Sequence, residues 1–355
     1  MLENLSFAID DRIITAANAG AVVALNLSGG KDSTMSAHAA NAILDKIGHP
    51  RERRILIHAD LGRAEWRSTP ATVEAQAAQI GLPLIVTRRA AGDMVARFEQ
   101  RYEQDWSLYS DLKLARLRGP WSHSGGRFCT AEMKRDVLHR YLATAYPGQT
   151  IISVLGIRHA ESPGRSKTPI SKVDVKLARA NGTNGILWHP SIHISTEQVF
   201  AYHAQHGLIL HEAYEQWGST RLSCAFCVLA SRRDIRISAN VPQNLELYRY
   251  LVDIEIATGF SFQQGGWLCD VAPRQLLATQ QERISRAKAY AAERKRREAG
   301  ISAAFLKAAA NNDDVRSVSD ADAAAIASSR QLNADWTGRP LDFLTAAAVR
   351  QRLAA

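Results

Sequence analysis

Residues 21–33 read Ala-Val-Val-Ala-Leu-Asn-Leu-Ser-Gly-Gly-Lys-Asp-Ser: a short apolar run, then a loop of small and charged residues. Met35, Ala39, Ala42, Ile43 and Ile47 follow at helical spacing, and Gly48 marks the stop. A small-residue loop between strand and helix leaves backbone N–H groups pointing outward, where they bind phosphate oxygens. Gly29 and Gly30 let the backbone approach closely, Ser28 and Ser33 add hydroxyls, and Lys31 adds a positive charge. Asp32 repels phosphate, so its roles are to hold Mg²⁺ or to fix the loop. Only one residue separates Ser28 from Gly30, so this is not the longer loop of common ATPases.

Working outward, residues 3–19 read as a helix entering the first strand. Ile55–Ala59 reads as a second strand ending in Asp60-Leu61-Gly62, residues 68–80 as a helix, and residues 83–87 and 150–155 as further strands. Short apolar strands alternating with helices imply an α/β fold, a parallel twisted sheet with helices on both faces. Ligands in such sheets bind at the carboxyl ends of strands, where Asp60, Gly62 and the loop from Gly156 also fall. No internal repeat is visible. Two domains are expected: a nucleotide-binding domain over 1–235 and a helical, basic region over 236–355. Residues 273–298 form a helical stretch carrying Arg283, Arg286, Lys288, Arg294, Lys295, Arg296 and Arg297. The remainder is rich in alanine, with a polar patch over 311–314.

The chain has 355 residues, 46% of them hydrophobic, enough for one large core and a smaller unit. No apolar run approaches the roughly 18 to 20 residues that span a bilayer, and the opening residues do not read as a signal peptide. A cytoplasmic protein with no membrane partner is therefore expected. The net charge of +9 points to an anionic partner or to a plain soluble basic surface. Four cysteines stand at 129, 224, 227 and 269; in a reducing compartment a C-x-x-C pair points to metal, cluster or redox chemistry.

The loop Ser28–Ser33 matches the S-G-G-x-D-S signature of the PP-loop ATP pyrophosphatases. Asp60-Leu61-Gly62 resembles the D-T-G element of proteins similar to PAPS reductase, with Leu61 in place of Thr. Arg127, Cys129, Thr130 and Lys134 resemble their R-x-C-T-x-x-x-K element, and Gly156, Arg158, Glu161, Ser162 and Arg165 their G-x-R-x-x-E-S-x-x-R loop. His189-Pro190 with Thr196, Val199 and Tyr202 resembles a helix entry of the group. Tyr214, Gly218, Arg221, Cys224 and Cys227 resemble its Y-x-x-G-x-x-R-x-x-C-x-x-C ending. Residues 20–235 thus resemble, in the right order, the PAPS reductase and sulfurtransferase-like group, which includes the Dnd-type DNA phosphorothioation protein.

The resemblance implies an adenine nucleotide alpha hydrolase-like fold that cleaves ATP between the α and β phosphates with Mg²⁺. It implies nucleotide binding by Ser28, Gly29, Gly30, Lys31, Asp32, Ser33, Asp60, Gly62, Lys134, Gly156, Arg158 and Arg165, with Lys31, Asp32 and Arg158 as the catalytic residues. Arg158 and Arg165 present paired donors suited to anionic oxygens, and Lys134 a point charge. Asp60 is suited to ribose hydroxyls, a metal or a helix cap, and Glu161 to orienting an arginine. Cys129, Cys224, Cys227 and Cys269 are implied as ligands of a 4Fe–4S cluster, with zinc and inert buried thiols as alternatives. Sulfur transfer further implies a sulfur-donor protein such as a cysteine desulfurase and, given the charge, a nucleic-acid acceptor. Two other functions stay open: a PAPS or APS reductase releasing sulfite, whose usual C-terminal E-C-G-L-H element is missing, and a nucleotide- or nucleic-acid-binding component without turnover. His189, His193, His203, His206 and His211 read as surface or pocket residues without metal geometry.

Overall fold

The computed structural model describes residues 5–311 and 318–355. Residues 312–314 of the polar patch expected over 311–314 and the first two residues of the expected opening helix lie outside them. The chain divides into two compact units, one of Met1–Met94 with Arg127–Gln243, the other of Val95–Gly126 with Asn244–Ala355.

In the first unit β1 (Val22–Asn26) is central, flanked by β2 (Arg54–Asp60) and β4 (Thr150–Val154), with β3 (Leu84–Arg88) beyond β2 and β6 (Asn184–Trp188) beyond β4. These five strands are parallel; β5 (Ser171–Val173) adds an antiparallel edge. The expected parallel α/β sheet is therefore the observed one. Its middle strand is buried on both faces, because successive side chains alternate across the pleat. Val23 and Leu25 pack with Ile13, Leu44, Val73 and Ile80 from helices α1 (Asp11–Asn18), α2 (Lys31–Lys46) and α3 (Thr69–Ile80). Val22 and Ala24 face the other way, toward Leu142 of α4 (Asp136–Ala145) and Leu177. Each fully buried Val, Leu or Ile among them contributes about 1.5–3 kcal/mol.

The opening helix is shorter than expected. Asp10 caps α1 by accepting the Ile13 N–H at 3.2 Å, so the helix begins at Asp11 and residues 5–10 run without regular structure. The sheet positions the site through its order: from β1 the chain crosses to β2 on one side and later returns at β4 on the other. A crevice opens at such a switch point beyond the carboxyl ends of the strands, and the loop Ser28–Gly30 leaves β1 into it.

The second unit is helical, as expected for the C-terminal region. Its helices Leu245–Thr258, Ala278–Glu298 and Asp320–Thr337 join the turns of Met94–Ser110 that follow Met94. Arg330 is fully buried and donates to the carbonyls of Tyr109, Ser110 and Asp342. Asn333 links the Tyr109 hydroxyl, 2.9 Å away, to that of Tyr290 at 2.7 Å. The basic stretch is the helix Ala278–Glu298, and much of its charge is paired inside the unit. Arg294 is buried, its guanidinium 3.5 Å above the Phe260 ring; Arg296 and Arg297 both hold Glu293; Lys288 holds Asp270 at 2.6 Å.

Candidate nucleotide site

Gly29 adopts φ +75°, a conformation that favours glycine, and turns the chain from β1 into α2. Gly30 is the N-cap of α2 and offers no side-chain acceptor to the first-turn N–H groups. Gly30 thus gives the positive end of this sixteen-residue helix no side-chain cap of its own, which favours an anion there. Ser33 Oγ donates to the Gly30 carbonyl at 2.9 Å, and the Ser28 and Ser33 hydroxyls lie 2.9 Å apart.

Lys31 is buried. Its Nζ stands 3.0 Å from Asp32 Oδ2 and lies over the rings of Phe200 and Tyr214, 5.6 and 5.2 Å from their centroids. The Tyr214 hydroxyl accepts from the N–H of Lys31 at 3.4 Å and of Leu222 at 2.9 Å. His203, in the helix Thr196–His206, places Nε2 2.8 Å from the Lys31 carbonyl; a carbonyl only accepts, so Nε2 carries the proton. Burial pushes His203 below the usual histidine range, consistent with a neutral ring.

The other oxygen of Asp32, Oδ1, takes Arg158 Nε at 2.6 Å. Arg158 is itself buried: Nη1 donates to the Ile194 carbonyl and Nη2 to Thr196 Oγ1. Its guanidinium therefore braces the loop from behind, leaving Arg165 as the more accessible of the two arginines. Glu161 joins them, accepting the Arg158 N–H at 2.9 Å and pairing with the Arg165 guanidinium. Gly156, just after β4, lies directly on this turn. A Cβ there would stand 2.6 Å from the Asp32 carbonyl carbon and 2.7 Å from the Ser33 nitrogen, closer than van der Waals contact permits.

Asp60 is engaged locally: Oδ1 accepts the Gly62 N–H at 2.6 Å and Oδ2 pairs with Arg88 at 2.6 Å. His58, two residues earlier, ties β2 to the end of β1 through Nδ1 and the Leu27 carbonyl, 2.9 Å apart. Burial opposes its protonation, but Glu65 at 3.5 Å, the Leu27 carbonyl and Asp60 together raise the His58 pKa. His211 caps a short helix: Nδ1 accepts the Ala213 N–H at 3.0 Å, so Nε2–H faces the hydroxyls of Ser68 and Thr69. Burial lowers its pKa to about 4. Of the five histidines read as surface or pocket residues, His189, His203 and His211 are buried. Nothing in their spacing marked His203 as the loop's anchor, and Phe200 was likewise missed.

Cys129, Cys224, Cys227 and Lys134 share one neighbourhood of the first unit. Burial pushes the Cys224 thiol up to about 12; Lys134 opposes that shift, while Cys227, Glu65 and Cys129 add to it. Cys269 belongs to the second unit, where it is buried beside Glu255. That carboxylate accepts the N–H groups of Phe262, Leu268 and Cys269 at 2.7–3.0 Å. Burial, then Glu255 and Asp270, hold the Cys269 thiol far above its usual range. Four thiols are the right donor chemistry for a cluster or zinc. Among the described residues, however, no three His, Cys, Asp or Glu side chains are gathered so as to hold a metal, so no chemical step is derived through one.

A parallel sheet with an uncapped Ser-Gly-Gly loop at its switch point, braced by a Lys–Asp–Arg chain, defines a nucleotide-binding α/β domain. The chain belongs to the phosphoadenosine phosphosulfate reductase domain family, whose model matches residues 22–230. None of the curated proteins matches it. Among solved structures it is similar to FMN adenylyltransferase from Candida glabrata in complex with FMN and the ATP analog AMPCPP, at 13% identity and TM-score 0.37 over 61% of this chain. The chain spans about three fifths (59%) of that protein. It is also similar to phosphoadenylyl-sulfate reductase from Candida auris in a phosphate complex, at 15% identity and TM-score 0.37, over 62% of this chain and 97% of that one.

The contact at Gly156 generates a prediction. Gly156→Ala forces the β4 loop and the Asp32–Ser33 turn apart, and ATP affinity measured by calorimetry should fall about tenfold or more, with circular dichroism unchanged. Unaltered affinity would show that the turn tolerates the displacement.

Proposed function

We propose that the chain activates an acceptor by transferring AMP to it from ATP, releasing pyrophosphate, and that the adenylate is then displaced by sulfur. The observation that carries this reading is the uncapped start of α2 with Lys31, Asp32 and Arg158 fixed behind it. Backbone donors held in place before the reaction stabilise charge as it develops on the phosphates without reorganising. Mg²⁺, when bound with ATP, would neutralise phosphate charge, and Asp32 is the carboxylate at hand for it. Arg165, the more accessible arginine, is suited to the pyrophosphate that departs. An acceptor oxygen forms the new bond to the α-phosphorus as the bond to the bridging oxygen breaks. The terminal sulfur of a persulfide on a donor protein such as a cysteine desulfurase then displaces AMP, and a thiol reductant splits the disulfide so formed to release the sulfur-bearing acceptor.

The reductase alternative needs an accessible thiolate as nucleophile. Cys269, the thiol nearest the C-terminus, is buried against a carboxylate, which disfavours that role. Cytoplasmic placement belongs to the proposal; among the described residues no helix is long and apolar enough to cross a membrane. A nucleic acid is the proposed acceptor, by analogy with the Dnd-type proteins that the sequence resembles. Arg294, Arg296 and Arg297 are poor candidates for its seat, since they are already paired or buried.

Lys31→Ala and Asp32→Ala should each lower AMP formation by about 100-fold or more, with the fold retained by circular dichroism. Unchanged turnover in folded Lys31→Ala would remove the loop from the reaction.

The iron–sulfur part of the proposal rests on the thiols of Cys129, Cys224 and Cys227, which share one neighbourhood of the first unit. Protein purified without oxygen should contain iron and sulfide and absorb near about 400 nm, and Cys224→Ser or Cys227→Ser should abolish that band. A colourless protein with one equivalent of zinc would leave zinc in its place.

A further inference from the structure

The first unit carries a second cationic cleft, of about 600 Å³, between α4 and the connection from β5 to β6. Asp136, His139, Arg140, Lys176, Arg179 and Asn181 line it. Thr150 of β4 pairs with Asn184 of β6, so this connection lies where the parallel strands begin, at the opposite end of the sheet from Ser28–Gly30.

Its carboxylates have partners of their own. Asp136 pairs with Arg135 at 2.8 Å, and the Asp174 carboxylate is held by His139 Nε2 at 2.9 Å and the Lys176 N–H at 3.2 Å. Among the described residues the Arg140 guanidinium and the Lys176 ammonium have no acidic partner. Arg179 is held in place without losing charge, because Nη1 donates to the carbonyls of Lys176 and Ala178, each at 2.9 Å. Leu177, fully buried between Lys176 and Arg179, anchors the segment in the core. Three cations are thus presented on a fixed frame with an amide at Asn181 and a hydroxyl at Thr144 beside them.

We propose that this cleft is an anion site for phosphoryl groups, separate from the nucleotide loop. Guanidinium and ammonium donors converging on one cavity suit phosphate oxygens. The phosphates can come from the backbone of a polynucleotide or from free phosphate species, and the test separates the two. The inference does not rest on the adenylation reading, since no residue of the nucleotide loop takes part.

The test uses the full chain and compares Arg140→Gln/Lys176→Gln with Lys46→Gln/Lys307→Gln, which removes the same charge from exposed positions elsewhere. A fluorescent single-stranded oligonucleotide is titrated at several salt concentrations, and inorganic pyrophosphate is titrated by calorimetry. If polynucleotide is the source, Arg140→Gln/Lys176→Gln loses affinity about tenfold at low salt and the slope of log affinity against log salt falls by about 1.4, two phosphate contacts' worth. The control keeps both within twofold and a few tenths. If free phosphate is the source, Arg140→Gln/Lys176→Gln binds pyrophosphate at one site fewer than wild type and control. Equal behaviour of the two variants toward both probes overturns the proposal. ATP turnover should be the same in Arg140→Gln/Lys176→Gln and wild type, which separates failure here from failure of the nucleotide site.

Discussion

Asp32 lies between two buried cations, Lys31 at 3.0 Å and Arg158 at 2.6 Å, and much of the first unit is arranged around that pairing. A carboxylate with one cationic partner would hold the loop to one element; with two it ties α2 to the β4 loop and, through Ile194 and Thr196, to the segment after β6. Removing either partner leaves a charge in a poorly solvated place, which is more costly than the net worth of the pair. The same chain of contacts keeps Lys31 under Phe200 and Tyr214 and leaves the start of α2 without a side-chain cap. The phosphate-binding capacity of the loop therefore depends on charged side chains that hold one another in place beside it.

That arrangement changes the meaning of the charged residues. Arg158 looks like a phosphate ligand when only its sequence is considered, and in the fold it is a brace with its guanidinium donors engaged. The basic helix Ala278–Glu298 looks like a polyanion surface, yet Arg294 lies against Phe260 and Glu293 takes two of its arginines. Among the described residues Arg140 and Lys176, which belong to no motif, are two cations without an acidic partner that line one cleft.

The sheet was legible in the sequence because β1, β2, β3 and β4 are short apolar runs separated by helical periodicity, and their carboxyl ends carry the loop residues. Asp10 set the start of α1 by capping, a local interaction that apolar spacing does not reveal. The excursion Val95–Gly126 was hidden because an amphipathic helix reads alike whichever unit receives its apolar face. Gly156 was legible as a motif position but not as a steric contact with Asp32, which requires two loops distant in sequence. His203 was illegible for the same reason: its partner is a backbone carbonyl, and backbone leaves no signature in residue identity.

The account stands on where the nucleotide is cut. A loop that holds phosphates at the start of α2 while an acceptor attacks the α-phosphorus yields AMP and pyrophosphate. Phosphorus NMR of ATP and Mg²⁺ incubated with the anaerobically purified protein and a single-stranded oligonucleotide reads the products directly. The account predicts growth of the AMP and pyrophosphate resonances together, in equal amounts. Growth of ADP and orthophosphate instead would contradict it.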